Sequence, residues 1–285
     1  MRNALEGFES SVTVGGRRIS NLRYADDTVL IAGSMTDLQE LVERVRSYSE
    51  AAGLFLNAKK TKVMKILRNP ADEVDDHIFI NGEPVENVQK FIYLGATFTN
   101  DYDDSDEIKR RIGIAKNATV ALTNIWKNRS ISLKTKKRLL NSLVFSIACY
   151  GSECWVLKNS DIKKIKSFEL WCYRRLLRIS WVEKISNEEV IRRSGCQRRL
   201  MDIINERKLT FIGHVLRSDH LTKLLLTGMV YGPRGKGRPK TRYSDCLRTT
   251  CGISMADAVR MAQDRESWRN RVQRATAGRT RPIRS

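Results

Sequence analysis

The sequence predicts an α+β first part followed by a helical remainder. Three observations predict it. Short β-branched runs separated by turn signals fill the first hundred residues. Apolar residues recur at helical spacing from residue 105 onward. The charge changes character at the same place: residues 1–100 hold 12 Lys/Arg and 14 Asp/Glu, whereas residues 101–285 hold 40 and 18.

The elements follow in order. "SVTV" (11–14) alternates as a strand does, and Gly15-Gly16 is a hairpin signal. A second strand runs through Ile19 and Leu22 to Tyr24, and "TVLIA" (28–32) is a third. Ser34 with Asp37 three residues on marks a helix start, Leu38, Leu41, Val42, Val45 and Tyr48 repeat at helical spacing, and Gly53 ends the run. "LFLNAKKTKVMKIL" (54–67) reads as strand with a polar interruption, "IFINGEPV" (78–85) as two short strands on an Asn-Gly turn, and "FIYLGATFT" (91–99) as one further strand. Beyond Ser105, Ile108, Ile112, Ala115, Thr119, Leu122 and Trp126 form one apolar stripe. Ser132 caps a second helix, Ser160 starts a third, and Ser186 with Glu189 forms a capping box. Residues 198–217 read as a helix despite Gly213, which costs ~1 kcal/mol against Ala in a helix interior. "YGPRGKGRPKTR" (231–242) is a basic Gly/Pro linker, and Ser254 with Asp257 caps a last helix through Met261 and Trp268.

Composition narrows the function classes. No apolar run approaches the ~18 residues of a membrane span, and the first residues lack a signal-peptide pattern. The expectation is an intracellular protein, nuclear and/or cytoplasmic, with no membrane partner and six free cysteines. A net charge of +20, carried by the second part, points to a polyanion partner rather than a merely solvated basic surface. Cys149–Cys154 and Cys246–Cys251 are each five apart with no His nearby, which argues against zinc.

One stretch carries chemistry. In "NLRYADDTVLIAG" (21–33), Asp26 and Asp27 interrupt an apolar run. Buried carboxylates are normally paired or metal-bound. Two other Asp-Asp pairs, at 75–76 and 103–104, lie in polar acidic stretches and read as solvated loops. "YADD" (24–27), "GLFLNAKKTKVM" (53–64) and "FIYLG" (91–95), in that order, resemble successive motifs of reverse transcriptases, and most closely those of LINE-type, non-LTR retrotransposons. The resemblance continues through "LVFSIACYGSECWVL" (143–157), "RKLTFIGHVLR" (207–217), "GKGRPKTRYSDCLR" (235–248) and "AQDRESWRNRV" (262–272).

The resemblance implies a palm remnant with the YADD hairpin over 1–100, a helical thumb over 101–158 and a basic helical nucleic-acid-binding region over 159–285. It implies an RNA-directed DNA polymerase that takes deoxynucleotide triphosphates, an RNA template and a DNA primer or target. Asp26 and Asp27 would be the metal and catalytic carboxylates, with Mg²⁺ as cofactor and Mn²⁺ as a substitute. Lys60 would lie near the departing pyrophosphate, with Lys59 or Lys62 as alternatives. Tyr24, Tyr93, Leu94 and Gly95 would face the primer. Lys109, Arg110, Arg111, Lys134, Lys136, Lys137 and Arg138 would contact phosphates. Lys236, Arg238 and Lys240 sit in a Gly-Pro frame similar to the core of an AT-hook, with a plain linker as the other reading.

One departure from the family matters. Its palm needs a further metal-binding aspartate upstream of YADD, and no aspartate precedes Asp26 here, where only Glu6 and Glu9 occur. The expectation is therefore the C-terminal part of such an enzyme, starting just before YADD and inactive alone. The alternative is a non-enzymatic basic RNA/DNA-binding protein derived from a decayed element.

Overall fold

A computed structural model describes residues 5, 8, 12–67, 75–196, 199–228 and 241–277. The chain forms two compact units, Met1–Tyr102 with Leu224–Met229 and Asp103–Lys223 with Val230–Ser285.

In the first unit, β1 (Thr13–Val14) and β2 (Arg17–Arg18) pair across Gly15 and Gly16, both at positive φ. The strands β3 (Asn21–Tyr24) and β4 (Asp27–Leu30) form the next hairpin. Helix α1 (Met35–Ala51) starts as its sequence predicts, with the Ser34 hydroxyl accepting a hydrogen bond from the Asp37 N–H at 3.1 Å. The expected strand over 54–67 shrinks to β5 (Lys62–Val63). The reason lies in Asn57, whose carbonyl and side chain together accept from Lys60 N, Thr61 N and Thr61 Oγ1. Such a local turn competes with a ladder for the same backbone groups.

The strands β6 (Phe79–Ile80) and β7 (Glu83–Pro84) close on Asn81 and Gly82, at φ 52° and 80°, the pattern of the tight hairpin turn that Asn-Gly favours. β8 (Glu86–Asn87) pairs in parallel with β5. The single strand expected over 91–99 is instead a hairpin, β9 (Lys90–Tyr93) and β10 (Ala96–Thr99). Its turn residues, Leu94 and Gly95, have φ 49° and 76°, and the leucine hid the turn from its composition.

The described strands thus form five two-stranded sheets. Two-stranded ribbons are marginal in water unless they pack on something else. Here α1 supplies that surface. Its Val42 packs with Val63, Ile78, Ile80 and Val85, and Leu30, Met35, Leu38, Leu56 and Ala58 border them. The Gln39 amide extends β6 as a strand would, donating to Phe79 O at 3.0 Å and accepting from Phe79 N at 2.8 Å.

The second unit is helical: α2 (Ser105–Ala121), α3 (Thr123–Lys127), α4 (Leu133–Leu139), a π-helical segment (Leu140–Phe145), α5 (Ser146–Ala148), α6 (Asn159–Leu177) and α7 (Asn187–Ser194). Then come α8 (Leu200–Arg217), α9 (Leu221–Thr227), which from Leu224 on belongs to the first unit, a π turn (Leu247–Cys251), α10 (Met255–Ala262) and α11 (Arg265–Thr276). The stripe from Ile108 to Trp126 is real but divided at Leu122, and the Trp126 indole N–H donates to Thr119 O at 2.8 Å across the break. The last helix is also two, because Asp264 caps a new start by accepting from Glu266 N at 2.9 Å.

One apolar core runs from Ile108 on α2 through Phe145, Phe168 and Tyr173 to Ile204 on α8. Phe145 meets Phe168 and Tyr173 edge-on, at 6.3 and 6.1 Å between centroids, a favoured aromatic geometry. Glu169 sits inside this core, 2% exposed, and its Oε1 accepts from Tyr173 OH at 3.0 Å and Leu200 N at 2.8 Å. A carboxylate from α6 thereby satisfies an unpaired N–H in the first turn of α8, where the helix dipole favours negative charge. Burial pushes the Glu169 carboxyl above its ordinary range, and the two donors oppose that shift.

Gly213 has a packing reason. A methyl group there would lie 2.5 Å from Cδ1 and 2.8 Å from Cε2 of the Trp268 ring, and closer still to its Nε1. Its bare backbone lets the Trp268 indole reach Leu209 O at 3.0 Å. The helix-propensity rule therefore has the wrong sign at this site. Gly213→Ala should lower stability by about 1–3 kcal/mol, the usual cost of overpacking, read as a lower thermal midpoint.

The Glu169 pocket yields a pH-dependent expectation. A raised folded pKa means that ionised Glu169 costs stability, a cost that sets in as pH rises from the ordinary carboxylate range through the raised value. Glu169→Gln keeps the shared acceptor Oε1 without the charge. Its melting temperature should match or exceed the parent's at pH 7, and that advantage should vanish at pH 4. Glu169→Leu strands two buried donors and should cost about 1–3 kcal/mol for each at either pH.

Candidate catalytic hairpin and nucleic-acid interface

The β3–β4 ladder pairs Tyr24 with Asp27, so Ala25 and Asp26 form a two-residue loop. Asp26 sits on that loop and Asp27 begins the return strand. Ala25 takes φ 53°, a left-handed conformation that costs an L-residue about 1–2 kcal/mol. Both carboxylates are exposed, and Tyr24 is 65% exposed beside them. Exposure removes the burial cost that their apolar flanks suggested. Among the described residues neither aspartate has an ion-pair partner.

Lys60 lies in the Asn57 turn, its backbone fixed and its side chain exposed. Lys59 is exposed next to it, whereas Lys62 is bound to Glu86 and Lys65 to Asp76. The turn thus leaves Lys59 and Lys60 as its outward cations. Tyr93, Leu94 and Gly95 share the tip of the β9–β10 hairpin, with the Tyr93 ring 6.4 Å from that of Phe98 on the opposite strand.

A two-ion site requires several carboxylates to bridge and neutralise metals held a few ångströms apart. Among the described residues no three His, Cys, Asp or Glu side chains converge to hold a metal ion. Asp26 and Asp27 therefore do not fit a two-ion site by themselves. All six cysteines are free thiols, and burial pushes those of Cys149 and Cys172 up to about 12.

The cations of the helical unit divide into two kinds. Arg111 is buried, donates to Glu107 at 2.6 Å, and stacks 4.1 Å over the Tyr150 ring. Arg110 grips the same carboxylate through Nε and Nη2, at 2.8 and 2.9 Å. Lys136 is 7% exposed, and its Nζ donates to Trp126 O at 2.9 Å and Asn128 O at 2.6 Å, closing the end of α3. Arg111 and Lys136 thus tie their helices to neighbouring segments, whereas Arg110 braces Glu107 within α2. Lys109, Lys134 and Arg138 are exposed, with Lys109 near Asp106 at 3.2 Å, and Lys137 reaches Gly195 O at 3.4 Å. Lys236, Arg238 and Lys240 lie outside the described residues, as do Glu6 and Glu9.

The motif reading missed a groove of about 880 Å³ between α8 and α11. Its α8 wall includes Arg207, Phe211, His214 and Arg217, and its α11 wall includes Arg265, Trp268 and Arg269. The signal in the sequence was the helical spacing of Arg207, Thr210, His214 and Arg217 on α8 and of Arg265, Arg269 and Gln273 on α11, interleaved with Phe211, Trp268 and Val272. Only the antiparallel apposition of the two faces was missing.

Residues 1–98 match a family model described as reverse transcriptase (RNA-dependent DNA polymerase). Over 283 residues the chain is 30% identical to a transposon-derived protein of Caenorhabditis elegans, an alignment that covers 92% of this chain and 98% of that protein. No solved structure matches the chain. None of the described helices is long and apolar enough to cross a membrane.

The division of the cations can be measured. Lys136→Met leaves the Trp126 and Asn128 carbonyls without their donor and should destabilise the protein by about 1–3 kcal/mol. Lys134→Gln, two residues away on the exposed side, should change stability by less than about 0.5 kcal/mol. Thermal melts of the two variants at one pH and salt check both.

Proposed function

This chain belongs to the reverse transcriptase family of transposon-derived proteins, and on that premise we propose that it is the C-terminal part of a LINE-type RNA-directed DNA polymerase. The carrying observation is the order of "YADD" (24–27), "GLFLNAKKTKVM" (53–64) and "FIYLG" (91–95) inside the matched residues 1–98. In this reading Asp26 and Asp27 are part of a Mg²⁺-dependent nucleotidyl-transfer site, Tyr24 packs near the primer terminus, and Lys60 faces the departing pyrophosphate. The Tyr93-Leu94-Gly95 turn approaches the primer with its backbone. The helices after residue 102 hold the template–primer duplex through Lys109, Lys134, Lys137 and Arg138, whose positions leave them open to solvent or nearly so.

The exposed aspartate pair favours a second reading for the 285 residues acting alone. Its two carboxylates do not fit a two-ion site, so no catalytic step is assigned to this chain by itself. What the chain does alone, in this reading, is bind RNA and DNA without nucleotide transfer.

The test uses the full chain. With a primed RNA template, deoxynucleotide triphosphates and Mg²⁺ or Mn²⁺, no primer extension is expected, while the duplex is bound. If about six phosphates are contacted, affinity should fall ~10³-fold between roughly 50 and 200 mM salt, through release of condensed counterions. Extension that Asp26→Asn abolishes would make this chain a polymerase on its own. Affinity that stays flat with salt would remove phosphate capture as the basis of binding.

A further inference from the structure

We propose that the α8–α11 groove is a binding track for the sugar–phosphate backbone of a single nucleic-acid strand, with Arg265 and Arg269 as its reaching contacts. The proposal rests on the nucleic-acid-binding reading above and deepens it, by naming one groove of the C-terminal region and the contacts it makes.

The first observation is a cluster of positive charge that outnumbers the acids lining the same groove. Arg265 and Arg269 are exposed on α11 and have no acidic partner among the described residues. Elsewhere in the unit, Arg110, Arg111, Arg192, Arg193 and Arg260 each hold a carboxylate. Arg217 faces the same groove, anchored by Nη1 to Ala262 O at 2.9 Å. Burial and the neighbouring Arg265 charge both pull the Arg217 pKa down, so two guanidinium groups lie close enough to repel. Repulsion of this kind is relieved by an anion between them. Glu153 and Glu206 also line the groove, so its charge is mixed and the cations dominate.

The second observation is shape. Arg207 and Arg217 are ten residues apart on α8, about 15 Å along the axis. Arg265 and Arg269 are one turn apart on α11, about 6 Å. A single phosphate or one nucleotide cannot span that spread, whereas a strand of several nucleotides can.

The third observation concerns base stacking, for which the lining offers Phe211 and His214 but not Trp268. Trp268 is 3% exposed and its indole N–H is committed to Leu209 O. It forms the groove's floor and offers no open face. Contact with the backbone falls to the guanidinium groups, which suit paired phosphate oxygens, and such contacts carry little sequence information.

The experiment compares two full-length double variants that remove the same charge. Arg265→Gln/Arg269→Gln alters the groove. Lys163→Gln/Lys166→Gln alters exposed cations on α6. Each is titrated with a fluorescent single-stranded RNA and with the matching DNA, over a range of salt. The groove variant should keep the parent's melting temperature and lose at least tenfold in affinity. Its salt slope should drop by roughly 1.4, at about 0.7 per lost contact on a single strand. The α6 variant should lose less than threefold. Loss on either strand with the control intact supports the groove and tells which strand it takes. Equal losses in both variants overturn the groove while leaving general nucleic-acid binding standing. A parent chain that binds neither strand overturns the nucleic-acid reading itself. Displacement of the strand by inorganic phosphate, at the same concentration in phosphate groups, overturns the extended track.

Discussion

The helical unit depends on one buried carboxylate. Glu169 on α6 accepts the Leu200 N–H and so fixes where α8 begins. The helix's own cap, in which Asp202 accepts from Arg199 N at 3.1 Å, sits beside that contact, and further long-range contacts follow along α8. Lys208, 4% exposed, reaches Trp155 O at 2.6 Å, and Arg207 reaches Cys149 O at 2.7 Å. Further along, Gly213 admits the Trp268 indole and Arg217 holds the end of α10. A carboxylate is a costly choice for this position, because burial opposes its charge. In return it reads two donors with one oxygen, which specifies a unique docking of α8 on the aromatic core.

The same logic divides the basic residues. A net charge of +20 invites the view that every Lys and Arg is waiting for phosphate. Arg111, Lys136 and Lys208 show otherwise, since each is buried and donates to a carboxylate or a carbonyl. A long aliphatic stem can cross apolar packing and deliver a charged tip to an otherwise unpaired acceptor. The cations that remain for a polyanion are those that such acceptors did not claim, among them Lys134 and Arg138 on α4 and Arg265 and Arg269 on α11.

The first unit is built differently. Its hairpins have short ladders and keep apolar side chains outside, including Tyr24, Ile92, Leu94 and Phe98. Ala25 and Leu94 hold left-handed backbone without being glycine. Strain of this kind persists only where the surroundings over-determine it, and it concentrates where chemistry or binding needs a particular tip. Both strained tips lie within residues 1–98, the segment that matches the reverse transcriptase family model.

Much of this protein was determined by sequence alone. Caps such as Ser34, Ser132, Ser186 and Ser254 set helix starts because a hydroxyl three residues before an N–H is a local interaction. The Asn-Gly turn and the YADD hairpin were legible for the same reason, as was the family, whose motifs are short and ordered. What the tertiary structure decided involves residues distant in sequence. By its residue pattern the 91–99 segment looked like one strand, because Leu94 has no turn preference of its own, and only the family resemblance set a turn at Tyr93-Leu94-Gly95. Gly213 looked like a weakness because its partner, Trp268, lies 55 positions away. Arg111 and Lys136 looked like phosphate contacts until their acceptors came into view, and the α8–α11 groove existed only once two helix faces met. Local chemistry is written along the chain, whereas burial and the pairing of charges depend on what folding brings alongside.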